Sequence, residues 1–333
     1  MKILVFEYIS GGGFNRDELP ASLAGEGLLM LKALLGGLNE IPELDVTVML
    51  DARLSAQVES PAIEIALIGP QDDCFERFEQ LVEQHDAIWP IAPEFDAILF
   101  KLCRVVERLG KTLLAPASAA VRLTADKFKT FQCLVGRQIP TVATRLFADC
   151  PSFPGESIVK PIDGAGCGDS YLVRDSVDFD RLAACRQGAG RFIIQPHLSG
   201  EKTSLSCLFR NGRGWILSVN LQQFEIVNNQ YQLSAIRVNH RFDCSLYQDL
   251  VAGIAKAVPG LWGCVGIDLI ETPAQALVLE INPRLTSSFA GLNAALGVNA
   301  AALVLQLLHG DPVIHRTMNK MVTVQIKQKI DGD

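Results

Sequence analysis

Two short strand-like runs near the C-terminal end constrain this chain more than any other feature. Gly266-Ile267-Asp268-Leu269-Ile270 and Leu279-Glu280-Ile281-Asn282-Pro283-Arg284 flank a turn at Thr272-Pro273-Ala274. Folded as a hairpin, they let Asp268 face Glu280 and Asn282, which share one side because strand side chains alternate with period two. Three oxygen donors converging from paired strands suit Mg²⁺, which takes carboxylates and amide carbonyls and completes its shell with phosphate oxygens and water. The alternative is a solvated hairpin face with incidental acids. Pro283 and Arg284 count against it, because the strand then ends by presenting a cation just past the metal ligands.

A second run, Lys160-Pro161-Ile162-Asp163-Gly164-Ala165-Gly166-Cys167-Gly168, places glycines after a strand-like Ser157-Ile158-Val159-Lys160. Backbone N–H groups in such a loop can close over phosphates. It is not a P-loop: the lysine precedes the glycines and the GxxxxGK[ST] order is absent. A glycine-rich turn with no ligand is the plainer reading, and the preceding lysine tilts it toward phosphate. Lys127 stands at the start of a short helix capped by Thr124 or Asp126, and on its own it reads as a solvated surface lysine. Cys167 fills space between glycines; its oxidation blocking the loop is the other reading.

At 333 residues the chain calls for two or three lobes of roughly 100–150 residues. Its 49% apolar and 20% charged residues read as an ordinary globular protein. A net charge of −7 speaks against nucleic acid or an anionic membrane as partner. Nine cysteines, none closer than 17 positions, exclude CxxC motifs and fit reduced thiols in a cytoplasmic protein. The N-terminal MKILVFEY lacks the apolar run of a signal peptide. Residues 285–310 carry no Asp, Glu, Lys or Arg, but their Thr, Ser, Asn and Gln content points to a buried helix rather than a membrane span.

Strand-like 2–8, 46–50 and 86–91 alternate with helical patterns over 22–38 and 71–85, which implies a parallel sheet up to about residue 120. Beyond 121 the texture changes. Arg191–Pro196 reads as a strand, followed by strand candidates at 203–209, 214–221, 231–238, 264–270 and 276–281. The expected organisation is an open α/β lobe (1–120), a small lobe with the glycine-rich loop (121–195) and a larger α+β lobe with the hairpin (196–333).

In this order the pieces from about 120 to 290 resemble the ATP-grasp superfamily. The resemblance implies an ATP-grasp fold, α/β and α+β, behind an N-terminal open α/β (pre-ATP-grasp) domain. It assigns Lys127 and Lys160 to the phosphates, with Gly164, Gly166 and Gly168 in the covering loop. It gives the adenine to a hinge at Gln195-Pro196-His197-Leu198. The ribose would be held by Glu201, although counting from Gln195 puts the usual acid position on Lys202. Asp268, Glu280 and Asn282 would bind one or two Mg²⁺, with Mn²⁺ as substitute. The hinge position, often Glu in the family, is Gln195 here, so its bond to the adenine amino group would be neutral. Phe6-Glu7-Tyr8-Ile9-Ser10-Gly11-Gly12-Gly13, Ile88-Trp89-Pro90-Ile91-Ala92-Pro93-Glu94 and Asn282-Pro283-Arg284-Leu285-Thr286-Ser287-Ser288 resemble the tyramine–glutamate ligase group. That group serves methanofuran synthesis in methanogens and has relatives in methylotrophs that make a related one-carbon carrier.

The implied activity is an ADP-forming carboxylate–amine ligase that activates a carboxylate as an acyl phosphate and joins it to an amine. Glutamate with tyramine or tyrosine is the pairing the resemblance suggests, and a homodimer the expected assembly. Arg284, and Arg237 by position alone, would stabilise the transferring phosphoryl group and the oxyanion. An ATP-dependent small-molecule kinase would share the nucleotide site, and so would a non-catalytic nucleotide-binding regulator. Ser10-Gly11-Gly12-Gly13-Phe14-Asn15 lacks the spaced GxGxxG of a nicotinamide dehydrogenase.

Overall fold

The computed structural model describes residues 1–58, 62–164, 169–185 and 191–326. The N-terminal sheet is built from β1 (Lys2–Glu7), β2 (Asp45–Asp51), β3 (Ile63–Ile68), β4 (Ala87–Ile91) and β5 (Thr112–Leu113), in the order β3-β2-β1-β4-β5 and parallel throughout. Helices α1 (Ala21–Asn39), α2 (Cys74–Gln84) and α3 (Ile98–Arg108) cover it. β1 is buried on both faces, as parallel strands between helices are. Ile3 and Val5 join the core that includes Leu31 and Leu34 of α1, while Leu4 and Phe6 join the core under α2 and α3. β1, β2 and β4 fall on the strand-like segments 2–8, 46–50 and 86–91, whereas β3 and α3 lie outside the expected elements. β3 carries Glu64 and Leu67 on exposed positions, which disguises it as a surface segment.

Ser10–Gly13, expected as a loop, lies in one wide helical turn (Ile9–Gly13), and Gly12 sits at φ 101° with no room for a Cβ against Ile68. Two short helices, α4 (Ser118–Thr124) and α5 (Lys127–Val135), lead into the second sheet. Asp126, not Thr124, caps α5 by accepting from the Lys129 N–H at 2.9 Å.

The second sheet joins β6 (Arg145–Leu146), β7 (Ser157–Pro161), β8 (Tyr171–Val173) and β9 (Phe192–Pro196) to the long strands β10 (Glu201–Arg210), β11 (Arg213–Val227), β12 (Gln230–Arg241), β13 (Gly263–Glu271) and β14 (Ala276–Asn282). Its order is β14-β13-β10-β11-β12-β8-β7-β9-β6, and β15 (Val322–Gln325) pairs with β12. Beside β8, α6 (Ser176–Cys185) closes a small core with Phe147, Val159, Phe179 and Ile194. α7 (Gln248–Ala257) packs on one face of the long strands.

On the other face lie α8 (Phe289–Leu296) and α9 (Ala300–Gln306). These correct the single helix expected over 285–310: they bend by 100° at Gly297, whose φ of 64° ends α8. Both share one apolar core with α1, so the first and last portions of the chain are packed as one body. By length and composition α1 is apolar enough to cross a membrane, but its leucines form that core.

Candidate active site

β13 and β14 form the hairpin read from the sequence. Asp268 stands directly opposite Glu280, and Asn282, two residues on from Glu280, pairs with Gly266. Asn282 Nδ2 donates to Asp268 Oδ2 at 3.2 Å, and Gln222 Nε2 on β11 donates to Asp268 Oδ1 at 3.1 Å. Two lysines reach the same carboxylate oxygen from other elements. Lys127, the first residue of α5, lies 3.5 Å from Glu280 Oε2, and Lys160, near the end of β7, lies 3.4 Å from it. Lys127 also donates to the Gly164 carbonyl at 2.6 Å, fixing the root of the glycine-rich loop. Gly166, Gly168 and Cys167 fall outside the described residues.

The electrostatics follow from burial. Burial raises the Glu280 pKa, but Lys127 and Lys160 outweigh it and hold that carboxyl below the usual carboxylate range. Asp268, buried and facing the Glu280 charge, is pushed up. Two half-buried carboxylates turned toward each other are an arrangement a bound cation relieves. Among the described residues no three His, Cys, Asp or Glu side chains converge on a metal-sized point. The donor set is instead two carboxylates and the Asn282 amide, a hard oxygen set that fits Mg²⁺.

Beside the hairpin a cavity opens, lined by Lys160, Gln195, Pro196, His197, Leu198, Asp268 and Glu280 from the sequence reading. Val142, Ile158, Phe224, Ile270 and Leu279 give it apolar walls suited to a flat aromatic base. Gln195 is 4% exposed, and its Nε2 donates to Thr144 Oγ1 at 2.9 Å, leaving the amide oxygen as acceptor. His197 Nε2 meets Tyr231 Oη at 2.8 Å, and its Nδ1 meets Glu156. The apolar walls come from five separated segments, and no local spacing announced them.

Glu201 and Arg237 are turned away from this cavity. Glu201 shares the β10 face of Thr203 and Leu205, which pack into the core under α7, while the cavity is on the face of Lys202 and Ser204. Glu201 is taken up by Arg241 and lies 3.6 Å from His240 Nε2. Lys202 lines the cavity instead, its ammonium 4.3 Å from the centre of the Tyr231 ring. Arg237 on β12 pairs with Leu221 and Thr323, so alternation turns it to the sheet face opposite that of Gln222 and Ile236.

Arg284 lies past the hairpin, between the lobes. Pro283 ends the strand, and the Arg284 guanidinium forms a fork with Glu94, Nε to Oε1 at 3.0 Å and Nη2 to Oε2 at 3.2 Å. Burial would lower the Arg284 pKa, but Glu94, with Glu26 and Glu7 nearby, raises it, so the group stays a cation. Glu7 accepts from Ser10 Oγ at 2.6 Å, and Glu26 accepts from Ser287 Oγ.

The parallel lobe, the antiparallel lobe and the lysine–carboxylate cluster on the edge hairpin of the second sheet define an ATP-grasp architecture. The chain matches the pre ATP-grasp 3 domain over residues 44–121 and the ATP-grasp domain over 124–288, and it belongs to the ATP-grasp family of ligases. It is similar to the tyramine–L-glutamate ligase of Methanocaldococcus fervens, 25% identical over 326 residues that cover 97% of this chain and 99% of that one. The enzyme of the same name from Methanocaldococcus jannaschii is 25% identical over 292 residues, covering 87% and 84%. Among solved structures, a putative ATP-grasp superfamily protein from Archaeoglobus fulgidus superposes with a TM-score of 0.72 at 24% identity, over 98% of this chain and 92% of that one.

Proposed function

We propose that this chain is an ADP-forming carboxylate–amine ligase of the cytoplasm that joins glutamate to tyramine or tyrosine in the making of a one-carbon carrier. The observation that carries the use of MgATP is Glu280, set opposite Asp268 and shared by Lys127 and Lys160. The choice of substrates rests on the similarity to the two tyramine–L-glutamate ligases.

Asp268, Glu280 and Asn282 are the residues that would hold one or two Mg²⁺, or Mn²⁺ in their place. The metal supplies charge neutralisation on the phosphates and polarises the phosphorus–oxygen bonds. Lys127 and Lys160 are placed to take phosphate oxygens, and Lys127 also holds the Gly164 carbonyl beside them. Gln195 accepts from the adenine amino group through its amide oxygen, while Pro196, His197 and Leu198 border the base.

The attacking group is the substrate carboxylate, so the protein need supply no nucleophile. It aligns that oxygen with the γ-phosphorus and keeps water from the acyl phosphate by closing the small lobe. Arg284 steadies the negative charge on the transferring phosphoryl group and then on the oxyanion formed when the amine attacks. The chain works on small molecules, as a homodimer, without nucleic acid or membrane.

Three variants test the assignment. Glu280→Gln and Asn282→Ala are expected to abolish ADP formation with circular dichroism unchanged, and Lys160→Ala to weaken ATP binding at least tenfold. Near-wild-type turnover in both hairpin variants would sink the metal assignment, and an unchanged ATP affinity in the third would remove Lys160 from it.

A further inference from the structure

The N-terminal sheet changes winding direction between β1 and β4, since β2 and β3 lie to one side and β5 to the other. Open parallel sheets leave a crevice beyond the carboxyl ends of the two strands at such a point. Glu94 stands there, three residues after β4. The chain around it is not relaxed. Asp96 and Ala97, consecutive and neither a glycine, have φ of 54° and 56°, where a Cβ is crowded. Such a conformation persists when surrounding contacts enforce it, and it recurs at functional sites.

What the turn delivers is the fork to Arg284, which joins residues 190 positions apart. Both partners are withdrawn from water, with side-chain exposures of 11% for Arg284 and 5% for Glu94. Two parallel N–H···O contacts fix the guanidinium plane as well as its place. Among the described residues, the Nη1 edge has only a long 3.3 Å contact to the Leu285 carbonyl. The other nearby carboxylates are occupied elsewhere, Glu7 by Ser10 and the Ile9 N–H, and Glu26 by Ser287.

We propose that Glu94 is a positioning residue for the ligase reaction: from the other lobe it holds Arg284 so that its Nη1 edge faces the reacting phosphoryl and acyl oxygens. This rests on Arg284 stabilising those oxygens, as described under the proposed function.

The test is a double-mutant cycle on the full chain, reading ADP release from MgATP with glutamate and tyramine, or with whichever carboxylate and amine pair the wild type turns over. Glu94→Gln keeps the shape and removes the charge. It is expected to lower kcat by about 10- to 100-fold with the KM for ATP within about twofold, as for a misplaced catalytic group. Glu94→Asp is expected to restore part of the loss. Glu94→Gln combined with Arg284→Ala is expected to be no slower than Arg284→Ala alone, because one residue acts through the other. A merely structural Glu94 would instead lower the melting temperature and multiply the two losses, and that result overturns the proposal. So does a normal kcat in Glu94→Gln when Arg284→Ala is inactive. A normal kcat in Arg284→Ala removes the arginine from the chemistry and takes the proposal with it. If the wild type releases ADP with no pair at all, the ligase reading fails, and this one fails with it.

Discussion

Asp268 and Glu280 are two facing acids in unlike surroundings, one raised by its neighbour's charge and one lowered by two lysines. Opposite each other on β13 and β14, they have opposite linkage to pH. Glu280 is held low by two lysines, so its pairing contributes stability above the ordinary glutamate range, and that contribution is lost as pH falls through its folded value. Asp268 is raised, so its burial costs nothing in acid and increasingly more as pH climbs from the aspartate range to neutrality. Asp268→Asn is therefore expected to be more stable than the wild type at pH 7.5 in EDTA, by a few degrees in melting temperature, with one of the Gln222 and Asn282 amides turning to accept from the new N–H and the other still donating to the remaining oxygen. The gain should vanish near pH 4. Mg²⁺ should raise the wild-type melting point and leave that of the variant unmoved, and ADP release should be lost. Thermal melts at the two pH values, with and without Mg²⁺, check all of this. A variant less stable than wild type at pH 7.5 would show that the pair is stabilising as it stands.

At the scale of elements, the lysines owe their reach to where helices and strands end. Lys127 is the first residue of α5, and Asp126 fixes that start by capping the Lys129 N–H. Asp126→Ala is expected to cost about 1 kcal/mol of stability, the usual loss of such a cap, and to raise the KM for ATP because Lys127 frays with the first turn. Melting curves and an ATP titration read both; an unchanged KM would mean that the helix start is held by other contacts.

The hairpin was legible in the sequence because two strands joined by a short turn have one natural register, and period-two alternation then puts Asp268, Glu280 and Asn282 together. Glu201 was not. A count from Gln195 lands on Lys202, which does line the cavity; preferring the neighbouring acid moved the assignment one residue, onto the opposite face of β10. The same phase problem hid Arg237 on β12, where the pairing with β11 shifts twice. Glu94 was visible only as part of a string; that it meets Arg284 depends on how the two lobes pack.

Across the whole molecule, the lobes differ in how firmly they are joined. α1 from the first lobe and α8 and α9 from the last bury one continuous apolar core, while the small lobe has its own around Phe147 and Phe179. Such an arrangement suits a small lobe that opens and closes over nucleotide on a fixed base. Leu292→Ala in the shared core is expected to cost about 2–5 kcal/mol and to lower one calorimetric transition common to both outer lobes. Phe179→Ala is expected to cost about 3–5 kcal/mol within the small lobe, seen as faster hydrogen exchange across β7 and β9 with the outer lobes unaffected. Equal loss of protection everywhere in Phe179→Ala would mean that the three lobes unfold as one.

Whether this fold and this hairpin make an amide at the expense of ATP is decided by measuring ADP and phosphate release from MgATP with glutamate, with tyramine or tyrosine, and with both partners together. The expected result is release that requires both partners and a product whose mass equals their condensation less water. Release with one substrate alone, accompanied by a stable phosphorylated product and no amide, would contradict it and make the protein a kinase built on the same site.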